Sequence, residues 1–304
     1  MKINCVVVTY NRLGLLKENL KALQEQSLPV HKIFIIDNHS TDGTAEYLLR
    51  FKEDSSVAVI VLPENIGGAG GFSIGLKEAI LDGCDWVWMM DDDTIPTPDA
   101  LKNLSEATAV TDRIGFVCSK VVWTDGTPHK MNIPILEYGK RNERPFNLYS
   151  RGDGLLLCTK CSFVSVMINA KAVYEVGLPI GELFIWHDDI EFTERLSLAG
   201  YTNLYVDRSV VLHKTSVNYT SDISTAPVDS SWKFYYQARN SLYLHRREKK
   251  NIVLFFFSAF NRYRRYLRKI DKRTDGREAF KEAVWRGCRD ALNFNPKIKY
   301  IFRN

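Results

Sequence analysis

Residues 86–93 read Trp86-Val87-Trp88-Met89-Met90-Asp91-Asp92-Asp93, an apolar run that ends in three consecutive carboxylates. The run has the length of a buried strand, and adjacent acids at its end are costly unless a cation neutralises them. Mg2+ and Mn2+ prefer carboxylate oxygens and bridge to phosphates. One reading is therefore a metal-bridged diphosphate at the carboxyl end of a strand. The other is an acidic loop that caps a helix starting at Thr97-Pro98-Asp99.

The flanking sequence repeats the pattern of strand followed by helix. Residues 3–9 are apolar and β-branched, and residues 13–26 place leucines at 13, 16, 20 and 23, a helical period. Residues 32–36 predict a second strand ending in Asp37-Asn38, and 41–51 a helix opened by capping residues. A strand over 57–62, a helix over 71–82 and the strand over 86–90 follow. Further on, 161–169 and 209–212 read as strands and 170–176 as a short helix. This alternation predicts an α/β fold with a mostly parallel sheet covered by helices on both faces. Ligands of such sheets bind beyond the carboxyl ends of the strands. Thr9-Tyr10-Asn11-Arg12, Asp37-Asn38, residues 65–71 and the three aspartates all fall there.

Two further windows carry chemistry. Asn65-Ile66-Gly67-Gly68-Ala69-Gly70-Gly71-Phe72 lets the backbone approach a ligand closely, and the helix start after it favours anions. It has no Gly-Lys-Ser/Thr ending and follows the third strand, so it is neither a Walker loop nor a dinucleotide fingerprint; a flexible turn is the plain alternative. Phe184-Ile185-Trp186-His187-Asp188-Asp189-Ile190-Glu191-Phe192 gathers three carboxylates and an imidazole at a helix start. A helix amino terminus also favours acids without any catalysis.

With V-V-V-T-Y-N-R, I-I-D-N-H-S-T-D-G-T, N-I-G-G-A-G-G-F, D-D-D and W-H-D-D-I-E-F in this order over about residues 3–215, the chain resembles a family 2 inverting glycosyltransferase of the GT-A fold, a Rossmann-like nucleotide-diphospho-sugar transferase. The glycine string and the W-x-D-D-x-E string are most similar to bacterial galactofuranosyltransferases; rhamnosyltransferases share much of the pattern. The resemblance implies that Thr9, Asn11 and Arg12 contact the nucleotide, that Asp37 hydrogen-bonds the base with Asn38 beside it, and that Asn65, Gly67, Gly68 and Gly70 lie along the diphosphate and sugar. Asp91 and Asp93 match the outer members of a D-x-D metal motif, with Asp92 between them in the nucleotide-sugar site. His213 is the implied third ligand of Mn2+ or Mg2+, and Lys214 an extra phosphate contact. Asp189 matches the general base; Asp188 and Glu191 would orient acceptor hydroxyls, with Trp186 and His187 on the acceptor side. His187 stands where the galactofuranosyl pattern has none.

Charge divides the chain. Residues 230–304 hold 20 Lys/Arg against 6 Asp/Glu, a net +14, and residues 1–229 hold 21 against 30, a net −9. The expected organisation is a GT-A domain over 1–229 and a helical, basic extension over 230–304. Residues 231–247 carry the string W-K-F-Y-Y-x-x-R-N at roughly helical spacing, which reads as core. Residues 252–260 are apolar but too short to span a bilayer, which takes about 20 residues. Arg262, Arg264, Arg265, Arg268, Lys269, Lys272 and Arg273 follow, interleaved with aromatics, which suits an anionic membrane surface. A solvated helix or a homo-oligomer contact are the competing readings. Nucleic acid is not expected, because no reader motif accompanies the cations.

The amino terminus reaches Asn11-Arg12 too soon for a secretory leader, and six scattered cysteines suit a reducing compartment. The expected location is cytoplasmic, peripheral on the inner face of the cell membrane. Residues 123–154, polar and aperiodic, predict a long loop over the acceptor side. Three function classes remain in view. A sugar transferase explains the acidic and glycine motifs together, with a UDP-sugar as donor, UDP-galactofuranose by resemblance, and a glycan or lipid-linked glycan as acceptor; dTDP-rhamnose is the other donor. A nucleotidyltransferase lacks its basic Gly-rich amino-terminal loop, and a non-catalytic glycan- or lipid-binding module explains only the tail.

Overall fold

The structure, a computed structural model, describes residues 1–136, 154–248 and 252–302. Its first half is four parallel strands in the order β3-β2-β1-β4: β1 (Ile3–Thr9), β2 (Lys32–Asp37), β3 (Val57–Val61) and β4 (Trp86–Asp91). Helices α1 (Leu13–Gln24), α2 (Thr44–Leu48) and α3 (Gly67–Leu81) connect them. Both faces are covered, and the alternation of strand side chains shows it. Cys5, Val7, Ile33 and Ile35 pack with Leu16, Leu20 and Leu23 of α1 on one face. Val6, Val8, Phe34 and Ile36 pack with Phe72 and Leu76 of α3 on the other. Each such fully buried side chain contributes about 1.5–3 kcal/mol relative to exposure.

Beyond β4 antiparallel strands join the mostly parallel central sheet. It continues through β5 (Thr94–Pro96), β6 (Ile114–Val122), β7 (Ile135–Leu136), β8 (Leu155–Lys160), β9 (Val166–Asn169) and β10 (Thr202–His213), in the order β4-β9-β6-β10-β8-β7. Strand β9 runs antiparallel between β4 and β6, whereas β10 is parallel to β6. Of the expected strand over 161–169 only 166–169 is strand; residues 161–165 form the connection from β8, in which Ser165 has φ 60. Of the expected loop over 123–154, residues 137–153 lie outside the described residues. Helices α4 (Ala100–Ala107), α5 (Ala170–Val176) and α6 (Asp188–Leu198) complete the body.

The basic segment forms α7 (Lys233–Glu248), α8 (Ile252–Ile270) and α9 (Arg277–Asp290). Phe234, Ala238, Ile270, Phe280 and Val284 make a small core of their own, which Trp186 joins from the body. The chain end returns to the body, where Leu178 N–H donates to the Lys299 carbonyl at 2.8 Å. Among the described residues no helix is long and apolar enough to cross a membrane.

Candidate active site

Register brings the first site residues together. Thr9 pairs with Asp37 and Val8 with Asp91, so the carboxyl ends of β1, β2 and β4 lie side by side. Just past Asp91 the chain turns into β5, which pairs antiparallel with the end of β10 and sets Thr94 opposite His213. Asp91, Asp93 and His213 thereby offer ligand atoms within 4.8 Å of one another. The residues fit a divalent cation. The buried Asp93 Oδ1 receives no hydrogen bond, although His213 Nε2 lies 3.1 Å away. His213 Nδ1 lies 2.8 Å from Asn132 Oδ1, and Asn132 Nδ2 donates to Ser162. The asparagine oxygen thus faces the ring and favours the tautomer with Nε2 free to ligate. The His129 ring packs against His213 at 4.4 Å, tilted by 40°.

The carboxylates differ in charge state. Burial, then Asp93, pushes Asp91 up to about 7. Burial raises Asp92 to about 6 although Arg12 opposes it. Burial also opposes ionisation of Asp93, but His213 and Arg12 outweigh it and hold that carboxyl below its ordinary range. A site that crowds three carboxylates this way gains from a cation.

Several residues expected on the nucleotide also hold the frame together. Asp92 accepts from the Thr9 hydroxyl at 2.7 Å and the Tyr10 N–H at 3.3 Å, and pairs with Arg12 at 3.4 Å. Both its oxygens are therefore employed within the protein. Arg12 also pairs with Asp93. Asn11 accepts from Thr41 N–H at 2.7 Å and ties the loop after β1 to that after β2. Asn38 clasps the glycine segment, donating to the Gly67 carbonyl at 2.9 Å and accepting from Ile66 N–H at 3.1 Å. Asn65 Oδ1 accepts from Gly67 N–H at 2.8 Å. Asp37 is different. One oxygen accepts from Ser40 N–H at 3.1 Å, while the buried Oδ2 has no partner. Lys214, expected near phosphate, is paired with Glu18 at 2.6 Å.

The glycine run corrects another expectation. It is helix, not loop: α3 begins at Gly67, four residues before the expected start. Three of the run's glycines, Gly67, Gly70 and Gly71, sit where a Cβ would collide. Gly67 has φ +77, and a Cβ on it would collide with the Phe184 carbonyl. A Cβ on Gly70 would strike the Ile66 side chain, whereas Gly68 faces open space. Ala69 N–H donates to the Phe184 oxygen at 3.1 Å, so the run fastens the turn that leads into α6.

That turn is strained. Phe184, Trp186 and His187 have φ of 68, 63 and 71, which costs such residues about 1–3 kcal/mol each. Helix α7 holds it in place. Asn240 Nδ2 lies 2.9, 3.1 and 2.9 Å from the carbonyl oxygens of Leu183, Ile185 and Trp186. Arg239 Nη2 donates to the Glu182 carbonyl at 2.8 Å and its Nε to Asn240 Oδ1 at 3.0 Å. Phe184 stacks on Tyr236 at 4.6 Å, and Trp186 packs edge-on against Phe234 at 5.3 Å. The W-K-F-Y-Y-x-x-R-N string is this clamp. The string was visible in the sequence but its purpose was not, and Asn132 gave no signal at all.

Beyond the turn, Asp188 and Asp189 open α6. Burial, then Asp189, raises Asp188 well above the carboxylate range, and the charge of Asp91 is near enough to add to the shift. Burial raises Asp189 to about 6, with the Ile190 N–H opposing it through a 2.7 Å hydrogen bond. Burial and then the nearby Arg262 push His187 down to about 4. Glu191, expected to orient acceptor hydroxyls, has other partners: Arg195 at 2.9 Å and Arg247 of α7 at 2.6 Å. It is a buried hub of ion pairs that joins α6 to α7.

Residues 5–175 match the family model described as glycosyl transferase family 2. Galactofuranosyltransferase GlfT1 of Mycolicibacterium smegmatis is 29% identical over 199 residues, 64% of this chain and 65% of that protein. The chain thus spans just under two thirds of the length of that relative. The O-antigen chain rhamnosyltransferase RfbN of Salmonella typhimurium is 27% identical over 228 residues, 72% of this chain and 68% of that protein. Among solved structures, GalNAc-T7 with UDP, GalNAc and Mn2+ has a TM-score of 0.60 at 16% identity, covering 80% of this chain and 51% of that one. The mannosyltransferase PcManGT from Pyrobaculum calidifontis, in complex with GDP-Man and Mn2+, has a TM-score of 0.56 at 16% identity, covering 96% and 74%. At such identities the two structures establish the shared fold.

Proposed function

The chain belongs to glycosyl transferase family 2, and from that premise we propose that it transfers galactofuranose from UDP-galactofuranose, with inversion, to a glycan or lipid-linked glycan in cell-surface polysaccharide assembly. One observation carries the reading. Asp91, Asp93 and His213 offer ligand atoms within 4.8 Å of one another just past the carboxyl end of β4, in a chain of this family. Such a donor set suits a divalent ion that bridges to a diphosphate.

Asp91, Asp93 and His213 would hold Mn2+ or Mg2+, which when bound supplies positive charge for the departing diphosphate. The free oxygen of Asp37 would accept an N–H of the base. Asp189 takes the proton of the acceptor hydroxyl on a carboxylate oxygen as the hydroxyl oxygen attacks C1. At about 6 its pKa leaves it ionised near neutrality yet more basic than an ordinary aspartate. Asp188 keeps its proton more readily and can donate to an acceptor oxygen. Arg12 remains beside the aspartates as the cation nearest the proposed diphosphate.

We assign residues 1–229 to donor and base chemistry and residues 230–304 to clamping the turn and meeting the membrane. Phe256, Phe257 and Phe260 of α8 are 53%, 68% and 58% exposed, more than an aqueous surface favours for three neighbouring phenylalanines. By helical period Arg264 and Arg268 continue this face, as suits the anionic inner leaflet. The relative RfbN supports dTDP-rhamnose as the second donor.

Calorimetric titration with UDP and dTDP, each with Mn2+ and with EDTA, tests the donor. Metal-dependent binding of UDP over dTDP, followed by turnover of UDP-galactofuranose, is the expected result. Preference for dTDP moves the donor to rhamnose, and binding of neither overturns the proposal.

A further inference from the structure

A cavity of about 190 Å³ opens beside α8, lined by Arg262, Arg265 and Lys269 and by Ser221, Gln237 and Tyr266. One water needs only about 10–15 Å³. Lys269 is paired with Asp222 at 3.0 Å. Among the described residues no carboxylate pairs with Arg262 or Arg265, so the cavity carries two uncompensated guanidinium groups. Such planar forks match phosphate oxygens.

Position indicates whose phosphate this is. The charge of Arg262 is felt at His187, one residue before the acid pair. Tyr266 belongs to the apolar cluster that contains Trp186. The cavity therefore borders the acceptor side of the strained turn, while the donor phosphates are assigned to the aspartates and His213. The exposed phenylalanines lie one to two turns earlier on the same helix.

We propose that this cavity binds the phosphate or diphosphate of a membrane-anchored acceptor and so presents the acceptor's sugar to Asp189. The inference rests on the transferase reading above, but its test needs no turnover. The probe is farnesyl diphosphate, titrated in EDTA so that the metal-dependent donor site contributes nothing. The wild-type chain should bind it, inorganic pyrophosphate should compete, and farnesol should not bind comparably. Arg262→Gln with Arg265→Gln should weaken binding about tenfold or more, the scale of losing one charge-assisted hydrogen bond. Arg264→Gln with Arg268→Gln, on the exposed face, should leave it within about twofold, as remote surface charges do. Equal losses in the two double variants, or no loss in the first, overturns the proposal.

Phosphatidylglycerol vesicles separate the two sources of phosphate. If the cavity serves an acceptor, the two double variants weaken vesicle binding to similar extents. If only the cavity variant does so, and farnesyl diphosphate fails to bind the wild type, the cavity holds a bulk lipid headgroup and the acceptor assignment falls. Unchanged UDP binding with Mn2+ in both variants excludes misfolding. Failure of UDP to bind the wild type strikes the transferase reading instead.

Discussion

Asp189 and Asn240 act on the same chemistry from opposite sides. As the base, Asp189 must be ionised; with its pKa near 6, turnover should be level above that pH and fall about tenfold per unit below it. Because Asp188 and Asp189 titrate as a pair, the acid limb belongs to both. Asp189→Asn should lower kcat by about 10²–10⁴-fold while metal-dependent UDP binding stays near normal. A loss of less than tenfold would show that the base is elsewhere. Asn240 touches no reacting group in this reading; it is a positioning residue that holds three carbonyls of the turn. Asn240→Ala should reduce kcat by about 10²-fold, the scale of a small misplacement, with little change in UDP affinity. Loss of UDP affinity in equal measure would mean a general loss of structure. The identity of the acids was legible because three consecutive carboxylates after a strand, and two at a helix start, are rare without a purpose. The employment of Glu191, Asp92 and Lys214 was not, since their partners Arg247, Thr9 and Glu18 lie far away in the chain.

At the scale of elements, α3 and α8 are helices that run further than their sequence signals show. The glycines of α3 read as a ligand loop, yet Gly67 meets the Phe184 carbonyl. Gly67→Ala combines a disfavoured φ with a backbone collision, so it should cost several kcal/mol, on the order of 3 or more, and lower both Tm and turnover. A stable, active alanine variant would show that the turn does not need α3 so close. In α8, serine at Phe256, Phe257 and Phe260 should weaken binding to phosphatidylglycerol vesicles by more than about tenfold, since each buried phenylalanine contributes about 1.5–3 kcal/mol. Vesicle binding equal to wild type would assign this face to another partner. Here the sequence showed the apolar run and the cations, and the structure added that they form one continuous helix of 19 residues.

Across the whole molecule, the metal cluster joins β4, β5 and β10, so ligand binding should stabilise the fold as a unit. At Mn2+ and UDP concentrations near 100 times Kd the gain is about 2.7 kcal/mol, which should raise Tm by on the order of 5 °C. Asp93→Ala should abolish the rise without lowering the metal-free Tm comparably; an undiminished rise would place the metal elsewhere. By itself the sequence determined the alternating strands and helices, the carboxyl-end location of the site and the division of charge between body and tail. These follow from periodicity and from residue type, which are local properties of the chain. The tertiary structure alone decided which polar groups are already satisfied. It put His213 beside Asp93 through the pairing of β5 with β10, spent Asn38 and Asp92 on the frame, and set Arg239 and Asn240 on the strained turn. Those outcomes depend on which distant segments meet, and buried hydrogen bonds between residues 57 and 83 apart leave no period or spacing by which a sequence could announce them.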